Sequence, residues 1–209
     1  LLGHPGVGSY FRQESGQPIV KLIFLVNQGT LISICQDDSV YLWSYKDKTP
    51  EVIHTLKFKR ERLTCGFLAF ESNWLIIGSD QGNVHFANVQ KFSLSGYIIN
   101  WNKAIDLKQS THPGAVVDLA ENPQDPNKLL IGYATGLVVM WDVKLKQAEA
   151  RFKSRDGLHS FCWNQDGKQF MSAHNNGNLA TWNCKQPQRA VSLAQPHARD
   201  LEDVKSHYE

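Results

Sequence analysis

Residues 128–143 place the strongest constraint on how this chain can fold. Their sequence is K-L-L-I-G-Y-A-T-G-L-V-V-M-W-D-V, two apolar runs joined by a turn that ends at Gly136 and closed by Trp141 and Asp142. Apolar runs on either side of a Gly-bearing turn predict a β-hairpin with a buried face. A Trp-Asp pair at the end of the second run is typical of a propeller blade. One blade cannot cover both of its own faces, so the pattern predicts further copies.

The same plan of apolar run, polar turn and apolar run recurs at 30–43, 74–89 and 168–183. The turn position falls successively at Asp38, Gly82, Gly136 and Gly177. Five residues after each turn position stand, in the same order, Trp43, Ala87, Trp141 and Trp182. The steps of 44, 54 and 41 residues lie near the roughly 40 to 45 of a WD-type blade. The longer step indicates an insertion in the second copy.

We therefore predict an all-β chain, a WD40-type β-propeller segment of about four blades from a propeller of seven. The predicted blades span 19–56, 63–100, 115–152 and 158–193, within a domain of residues 1–197. Residues 198–209 are mostly charged and match no strand period, which predicts a disordered tail. The residues that we expect to hold the blades together are Trp43, Gly82, Gly136, Trp141, Asp142, Gly177 and Trp182.

Composition and charge exclude several functional classes. The chain has 42% hydrophobic and 20% charged residues, which favours a packed globular protein over a disordered one. A net charge of +2 without a basic stripe argues against nucleic-acid binding. The chain begins with Leu1, and no run of 18 apolar residues occurs in it. We expect neither a signal peptide nor a membrane span, and we expect the chain to be a piece of a longer protein.

The cysteines indicate a reducing compartment. They lie far apart, without the C-x-x-C spacing of a zinc or redox site, and are Cys35, Cys65, Cys162 and Cys184. Free buried thiols are therefore favoured over disulfides or a metal site, and the expected location is cytoplasmic.

Two connecting segments are harder to assign from their residues. Residues 101–107 carry apolar positions that suit one helical turn or an extended connector. Residues 122–127 contain two prolines and predict a loop.

Several idiosyncratic strings resemble the lethal giant larvae family, and the resemblance runs in order over residues 1 to about 197. The strings that carry it are Gln36-Asp37-Asp38 to Trp43, Leu56-Lys57-Phe58 with Arg60-Glu61-Arg62, Phe92-Ser93-Leu94-Ser95-Gly96-Tyr97, Trp101-Asn102-Lys103-Ala104-Ile105, Thr111-His112-Pro113-Gly114, Lys128-Leu129-Leu130-Ile131-Gly132-Tyr133 and Gly167-Lys168-Gln169-Phe170-Met171.

The resemblance implies a non-catalytic scaffold that regulates SNARE-dependent exocytosis, peripheral at the plasma membrane or vesicles. Family members carry two seven-bladed propellers, and some add a SNARE-like segment that binds syntaxin and SNARE complexes. No heptad pattern occurs in this sequence, so we expect the chain by itself to bind syntaxin weakly or not at all. The alternative is a WD-repeat adaptor of another pathway, such as a ubiquitin-ligase or signalling scaffold.

Catalysis and cofactor binding have little support in the residues. Asp118, His159 and Ser160 are the candidates for an acid, base or nucleophile on first strands of blades. Asp118 alternates with Val117 and Leu119, and His159 stands between Leu158 and Phe161, as structural polar positions do. The phosphate-loop string G-x-x-x-x-G-K-[ST] is absent, and no cofactor is expected. His112, like His4, precedes Pro-Gly, and we expect it to have a local structural role rather than to complete a His-Asp-Trp network.

The links between successive blades predict a modest basic rim. In a propeller these links lie on one face, where an acidic protein or an anionic membrane could dock. Glu61 and Asp156 interrupt the positive charge, so a solvated rim without a partner is the competing interpretation. The candidate partner-binding residues of this basic rim are Lys57, Lys59, Arg60, Arg62, Lys153 and Arg155.

Overall fold

The computed structural model describes residues 16–25, 28–46, 49–69, 73–105 and 111–196. They form four antiparallel sheets of four strands each, so the predicted all-β, propeller-like fold class is confirmed. His4 and the predicted tail 198–209 lie outside the described residues.

Each sheet is a meander whose strands pair in chain order. The first sheet comprises β1 Ile19–Leu25, β2 Thr30–Cys35, β3 Ser39–Ser44 and β4 Glu51–Lys57. The second comprises β5 Leu63–Leu68, β6 Trp74–Ser79, β7 Val84–Asn88 and β8 Ser93–Ile99. The third comprises β9 Val116–Asn122, β10 Asp125–Tyr133, β11 Leu137–Asp142 and β12 Gln147–Lys153. The fourth comprises β13 Leu158–Trp163, β14 Gln169–His174, β15 Leu179–Asn183 and β16 Ser192–Ala194.

The chain divides into two compact units, Leu1–Leu63 and Thr64–Glu209. The first unit holds the first sheet. Its strand β2 is buried on both faces, with Ile32 and Ile34 on one and Leu31 and Cys35 on the other, whereas β4 is mostly exposed.

The second unit stacks the other three sheets face to face. Because successive side chains of a strand point to opposite faces, β10 serves two interfaces at once. Its Leu129, Ile131 and Tyr133 pack with the second sheet, and its Leu130 packs with the fourth. Burial on both faces explains why this strand is a continuous apolar run rather than an alternating one.

The structure decides the two connecting segments. Residues 101–104 form one helical turn, α1 Trp101–Ala104, which the backbone N–H of Ile105 closes on Trp101 O. The predicted two-proline loop is wrong. β9 extends to Asn122 and β10 begins at Asp125, which leaves a two-residue turn. Pro126 lies inside β10 at an irregularity of the ladder, where a residue without an N–H is tolerated.

All four cysteines are free, but the expectation that they are buried is wrong for Cys162, which is exposed. Successive side chains of β13 point to opposite faces of the fourth sheet, and those of Phe161 and Trp163 pack against the third sheet. Cys162 therefore lies on the other face. Within the described residues, no helix has the length and apolarity needed to cross a membrane.

Candidate interaction surfaces

The first link of the basic rim is anchored to the turn of its own sheet. The backbone N–H of Phe58 donates to Asp38 O at 2.9 Å, and that of Leu63 donates to Asp38 Oδ1 at 3.0 Å. Asp38, which sequence reasoning treated as a turn residue, therefore holds both ends of the link. Lys59 and Arg60 between these anchors are exposed.

The second link is tied to its sheets in a similar way. The N–H of Ser154 donates to Gly136 O at 3.1 Å, and Asn178 Nδ2 donates to Asp156 Oδ2 at 3.4 Å. Lys153 and Arg155 are exposed beside these contacts. Each group of basic residues is thus presented within its own compact unit, and the joint basic rim stays a prediction.

Asp118 is committed to structural bonds. Its Oδ1 accepts the N–H of Leu119 and its Oδ2 accepts the N–H of Phe161, both at 2.9 Å. The second bond joins the first strands of the third and fourth sheets. A carboxylate that accepts backbone N–H groups on both oxygens bridges two strands and is poorly disposed to act as a general base. His159 is exposed and Ser160 half-buried.

The described residues contain no group of three or more His, Cys, Asp or Glu side chains placed to hold a metal ion. His112 has a local role. Gly114 N–H donates to His112 Nδ1 at 3.0 Å, so the proton resides on Nε2, which donates to Gln81 O at 3.1 Å. The imidazole also packs on Trp101, with ring centroids 4.6 Å apart. His112 thereby ties the connector after α1 to the turn of the second sheet.

The three tryptophans of the repeat are buried, and their indole N–H groups donate to two kinds of acceptor. Trp43 Nε1 donates to Ser33 Oγ and Trp182 Nε1 donates to Ser172 Oγ, each at 2.8 Å. Trp141 is 1% exposed, and its Nε1 donates across the sheet interface to the Tyr97 hydroxyl at 3.0 Å. Burial raises the pKa of this Tyr97 hydroxyl, and the Trp141 bond opposes the rise.

Asp142 completes the Trp-Asp pair as the anchor of a turn. Its Oδ1 accepts the N–H of Leu145 at 2.7 Å, and its Oδ2 pairs with Lys128 Nζ at 2.6 Å. The backbone N–H of Leu145, followed by Lys128, holds the pKa of the Asp142 carboxyl below its usual value. Lys128 also pairs with Glu149, so one ammonium joins three neighbouring strands.

A groove opens between the second and third sheets, with a volume of about 1020 Å³. Its second-sheet wall is aromatic, with Phe67, Trp74, Phe86 and Tyr97, and its third-sheet wall includes Glu121. Trp74 is 39% exposed although it is a large apolar side chain. Pockets of this size with apolar walls and few polar groups are typical binding sites.

Sequence reasoning missed this groove, although the repeat carries a signal for it. When the strands of the third and fourth sheets are aligned by their pairing, Glu121 and Leu129 occupy the positions of Trp163 and Phe170. A comparison of side-chain size at matching repeat positions would have shown that the third sheet carries smaller side chains at these two positions.

Comparisons with known proteins identify relatives. No protein-family model matches the chain. It is 26% identical over 205 aligned residues to lethal(2) giant larvae protein homolog 1 of Bos taurus, covering 87% of this chain and 20% of that protein. It is 27% identical over 215 aligned residues to LLGL scribble cell polarity complex component 2 of Homo sapiens, covering 92% of this chain and 21% of that protein.

The chain therefore spans about a fifth of the length of the curated relatives it matches. The chain is also 25% identical over 200 aligned residues to LLGL scribble cell polarity complex component 2 of Danio rerio, covering 87% of this chain and 20% of that protein. These similarities support a relationship with the lethal giant larvae proteins, the family that the sequence strings resemble.

Proposed function

We propose that this chain is part of a non-catalytic scaffold of the lethal giant larvae type that acts in cell polarity. The observation that carries the proposal is a similarity that extends along 92% of the chain to a relative named as a scribble cell polarity complex component. A scaffold of this kind binds protein partners and acts in the cytoplasm at the cell cortex.

The contacts of the polar candidates favour binding over catalysis. Both carboxylate oxygens of Asp118 accept hydrogen bonds from backbone N–H groups. The Ser172 hydroxyl contacts the imidazole of His174. Ser172 is fully buried and His174 is 5% exposed, so a substrate could not reach this pair. Buried polar networks of this kind stabilise a fold when every member is bonded.

A narrower proposal concerns exocytosis. The sequence strings resemble the tomosyn branch of the family, which implies that the full-length protein regulates SNARE-dependent secretion through syntaxin. Within that proposal, the basic rim docks on an acidic SNARE complex or on an anionic membrane leaflet. Exposed Lys and Arg gain roughly 1 kcal/mol each near anionic headgroups. The anchored link that carries Lys59 and Arg60 offers two such charges in one place.

The test compares the wild-type chain with Lys59→Glu/Arg60→Glu for retention of purified scribble-complex proteins, SNARE complexes and phosphatidylserine vesicles. We expect the wild-type chain to retain scribble-complex proteins. We expect the double reversal to weaken vesicle and SNARE-complex binding at least about tenfold at low salt, and much less at high salt.

The matched control is Lys168→Glu/Lys185→Glu, which makes the same charge change at exposed residues of the second unit, one directly before β14 and one shortly after β15. Equal losses in the two variants would contradict the basic rim as the docking surface. A wild-type chain that retains no scribble-complex protein would overturn the proposed polarity function.

A further inference from the structure

The last strand of each sheet forms one edge of that sheet, and the four edges differ in charge. β8 and β16 contain no charged residue, and β4 contains one glutamate, one histidine and one lysine. β12 ends in two exposed basic residues, Arg151 and Lys153, and the exposed Arg155 follows two positions later. We call these three residues the basic row. The basic row belongs to the third sheet and is not a general feature of the repeat.

The positive charge of the basic row is not offset by an acidic side chain. Arg151 and Lys153 take part in none of the ion pairs among the described residues. Glu149, on the same strand, is already paired with Lys128 at 2.5 Å. Lys103 adds an exposed charge nearby, because it lies in the last turn of α1 and α1 contacts β12. Exposed charges of one sign without counter-charges complement a partner of the opposite sign.

One guanidinium of the basic row is already held in place. Arg151 Nε donates to Ala104 O at 2.8 Å, at the end of α1. This bond uses one of the five N–H groups of the guanidinium, which leaves the two Nη groups to donate to a carboxylate. A side chain that is ordered beforehand loses less conformational entropy when a partner binds.

The outer side of β12 offers backbone groups for pairing. β11 pairs with β12 on its inner side, and no strand within the described residues pairs with its outer side. Unpaired N–H and C=O groups of an edge strand can bind an extended segment as an additional strand. Residues two apart on a strand point to the same face and lie roughly 6.5–7 Å apart. An added strand with a charge at every second position therefore matches the spacing of the basic row.

We propose that β12 is a docking site for an extended segment of a partner protein that carries acidic residues at every second position. The segment adds to the third sheet as a further strand, and its carboxylates pair with Arg151, Lys153 and Arg155. The inference deepens the proposed scaffold function, on which it rests, by naming the conformation and charge of a partner segment. An anionic membrane could use the same charges, but it has no use for the strand edge.

The experiment measures the fluorescence anisotropy of a labelled nine-residue peptide, in which glutamates alternate with threonines, during titration with the full chain. An isomer with all its glutamates adjacent has the same charge without the spacing, and we expect it to bind at least about fivefold more weakly. Two further peptides carry N-methyl groups on the backbone nitrogens of either the glutamates or the threonines. The N–H groups of alternate residues point to one edge of a strand, so we expect one methylated form to lose binding and the other to keep it.

Substitutions on β12 test the location of the peptide. Arg151→Gln/Lys153→Gln should weaken binding roughly five- to twentyfold at low salt and much less at high salt, since two exposed ion pairs are lost. Lys153→Gln alone leaves the bond between Arg151 and Ala104 intact, and it should weaken binding roughly two- to fivefold. The matched control Lys168→Gln/Lys185→Gln changes exposed residues of the same unit and should leave the affinity unchanged.

Several outcomes would overturn the inference. Equal losses in the β12 variants and the control would place the peptide elsewhere, and equal affinity for the two isomers or for all methylated forms would reject strand addition. A wild-type chain that binds phosphatidylserine vesicles through Arg151 and Lys153 but not the peptide would assign these charges to a membrane. No binding of either would mean that the charges only keep the edge from pairing.

Retention of purified scribble-complex proteins by the wild-type chain separates this inference from the proposed function. Failure of the peptide to bind while the chain retains those proteins would reject the β12 site alone. Peptide binding by a chain that retains no scribble-complex protein would reject the proposed polarity function alone.

Discussion

Two tryptophans at the same position of the repeat have different hydrogen-bond acceptors, because one neighbouring residue differs between the two sheets. Trp182 pairs with Phe170, and the residue two positions later in that strand, Ser172, accepts its indole N–H. In the third sheet the equivalent of Ser172 is Ile131, which cannot accept a hydrogen bond. Trp141 therefore donates to Tyr97 on the second sheet instead.

The network around Trp182 fixes a histidine tautomer. His174 Nδ1 lies 3.2 Å from the backbone oxygen of Asp156, and a carbonyl can only accept, so the proton is on Nδ1. His174 Nε2 is then the acceptor for the Ser172 hydroxyl at 2.9 Å. Ser172 thus accepts from Trp182 and donates to His174, and all three side chains are buried.

We predict that Ser172→Ala lowers the free energy of unfolding by about 1–3 kcal/mol, because it leaves a buried indole N–H and a buried imidazole nitrogen without partners. Tyr97→Phe is the matched control, since it also removes the acceptor of an indole N–H. Tyr97 lines the open groove, where water can replace it, so we expect a loss under about 1 kcal/mol. Urea melts measure both, and equal losses would contradict the assigned network.

The turn between the second and third strands of each sheet is the element on which the repeat depends most strictly. Its left-handed position is occupied by Asp38, Gly82, Gly136 and Gly177, with φ of 61°, 75°, 93° and 85°. Glycine adopts this conformation without steric cost, and Asp tolerates it. The sequence spacing therefore reflects a backbone requirement that recurs once in each sheet.

Gly136 and Gly177 meet this requirement in different surroundings. A Cβ at Gly136 would come within 2.2 Å of the Asp156 carbonyl oxygen, the acceptor of His174, whereas a Cβ at Gly177 would meet nothing within 4 Å. We predict that Gly177→Ala costs roughly 1–2 kcal/mol from backbone strain alone. We predict that Gly136→Ala costs roughly 3 kcal/mol or more, because the backbone of the following link must also move.

Thermal or denaturant unfolding of the two glycine variants provides the measurement. The difference between them isolates the clash with the link, since both share the left-handed backbone. Matching stabilities would show that the link at Asp156 moves without cost.

The strands and turns were predictable where a local backbone or packing requirement is met by one characteristic residue type. Gly136 and Trp141 mark the turn and the strand end, so the strands of the third sheet lie close to the predicted runs. The groove was not predictable in the same way, because it depends on which residues align across strands. The ladder between β9 and β10, which brings Glu121 opposite Leu129, shifts its register between Asp125 and Leu129, and bulges of this kind are not visible in a hydrophobic pattern.

At the scale of the whole molecule, each compact unit leaves apolar side chains in contact with solvent. In the first unit, Phe24 is 71% and Leu22 is 50% exposed on β1. In the second unit, Leu193 is 74% and Met171 is 44% exposed on the fourth sheet. By contrast, the third sheet is covered on both faces and its Leu130 and Ile131 are fully buried.

We predict that the purified chain self-associates through these exposed surfaces, because unpaired strand edges and uncovered apolar faces of a repeat are recurrent sites of association. Size-exclusion chromatography with light scattering should give a mass above that of the monomer, rising with concentration. Met171→Lys/Leu193→Lys should shift the distribution toward the monomer, since a lysine at either position opposes apolar contact. The control Gln165→Lys/Asn176→Lys adds the same charge at exposed turn residues of that sheet and should leave association unchanged. A wild-type chain that stays monomeric at all concentrations would show that these apolar side chains do not drive association.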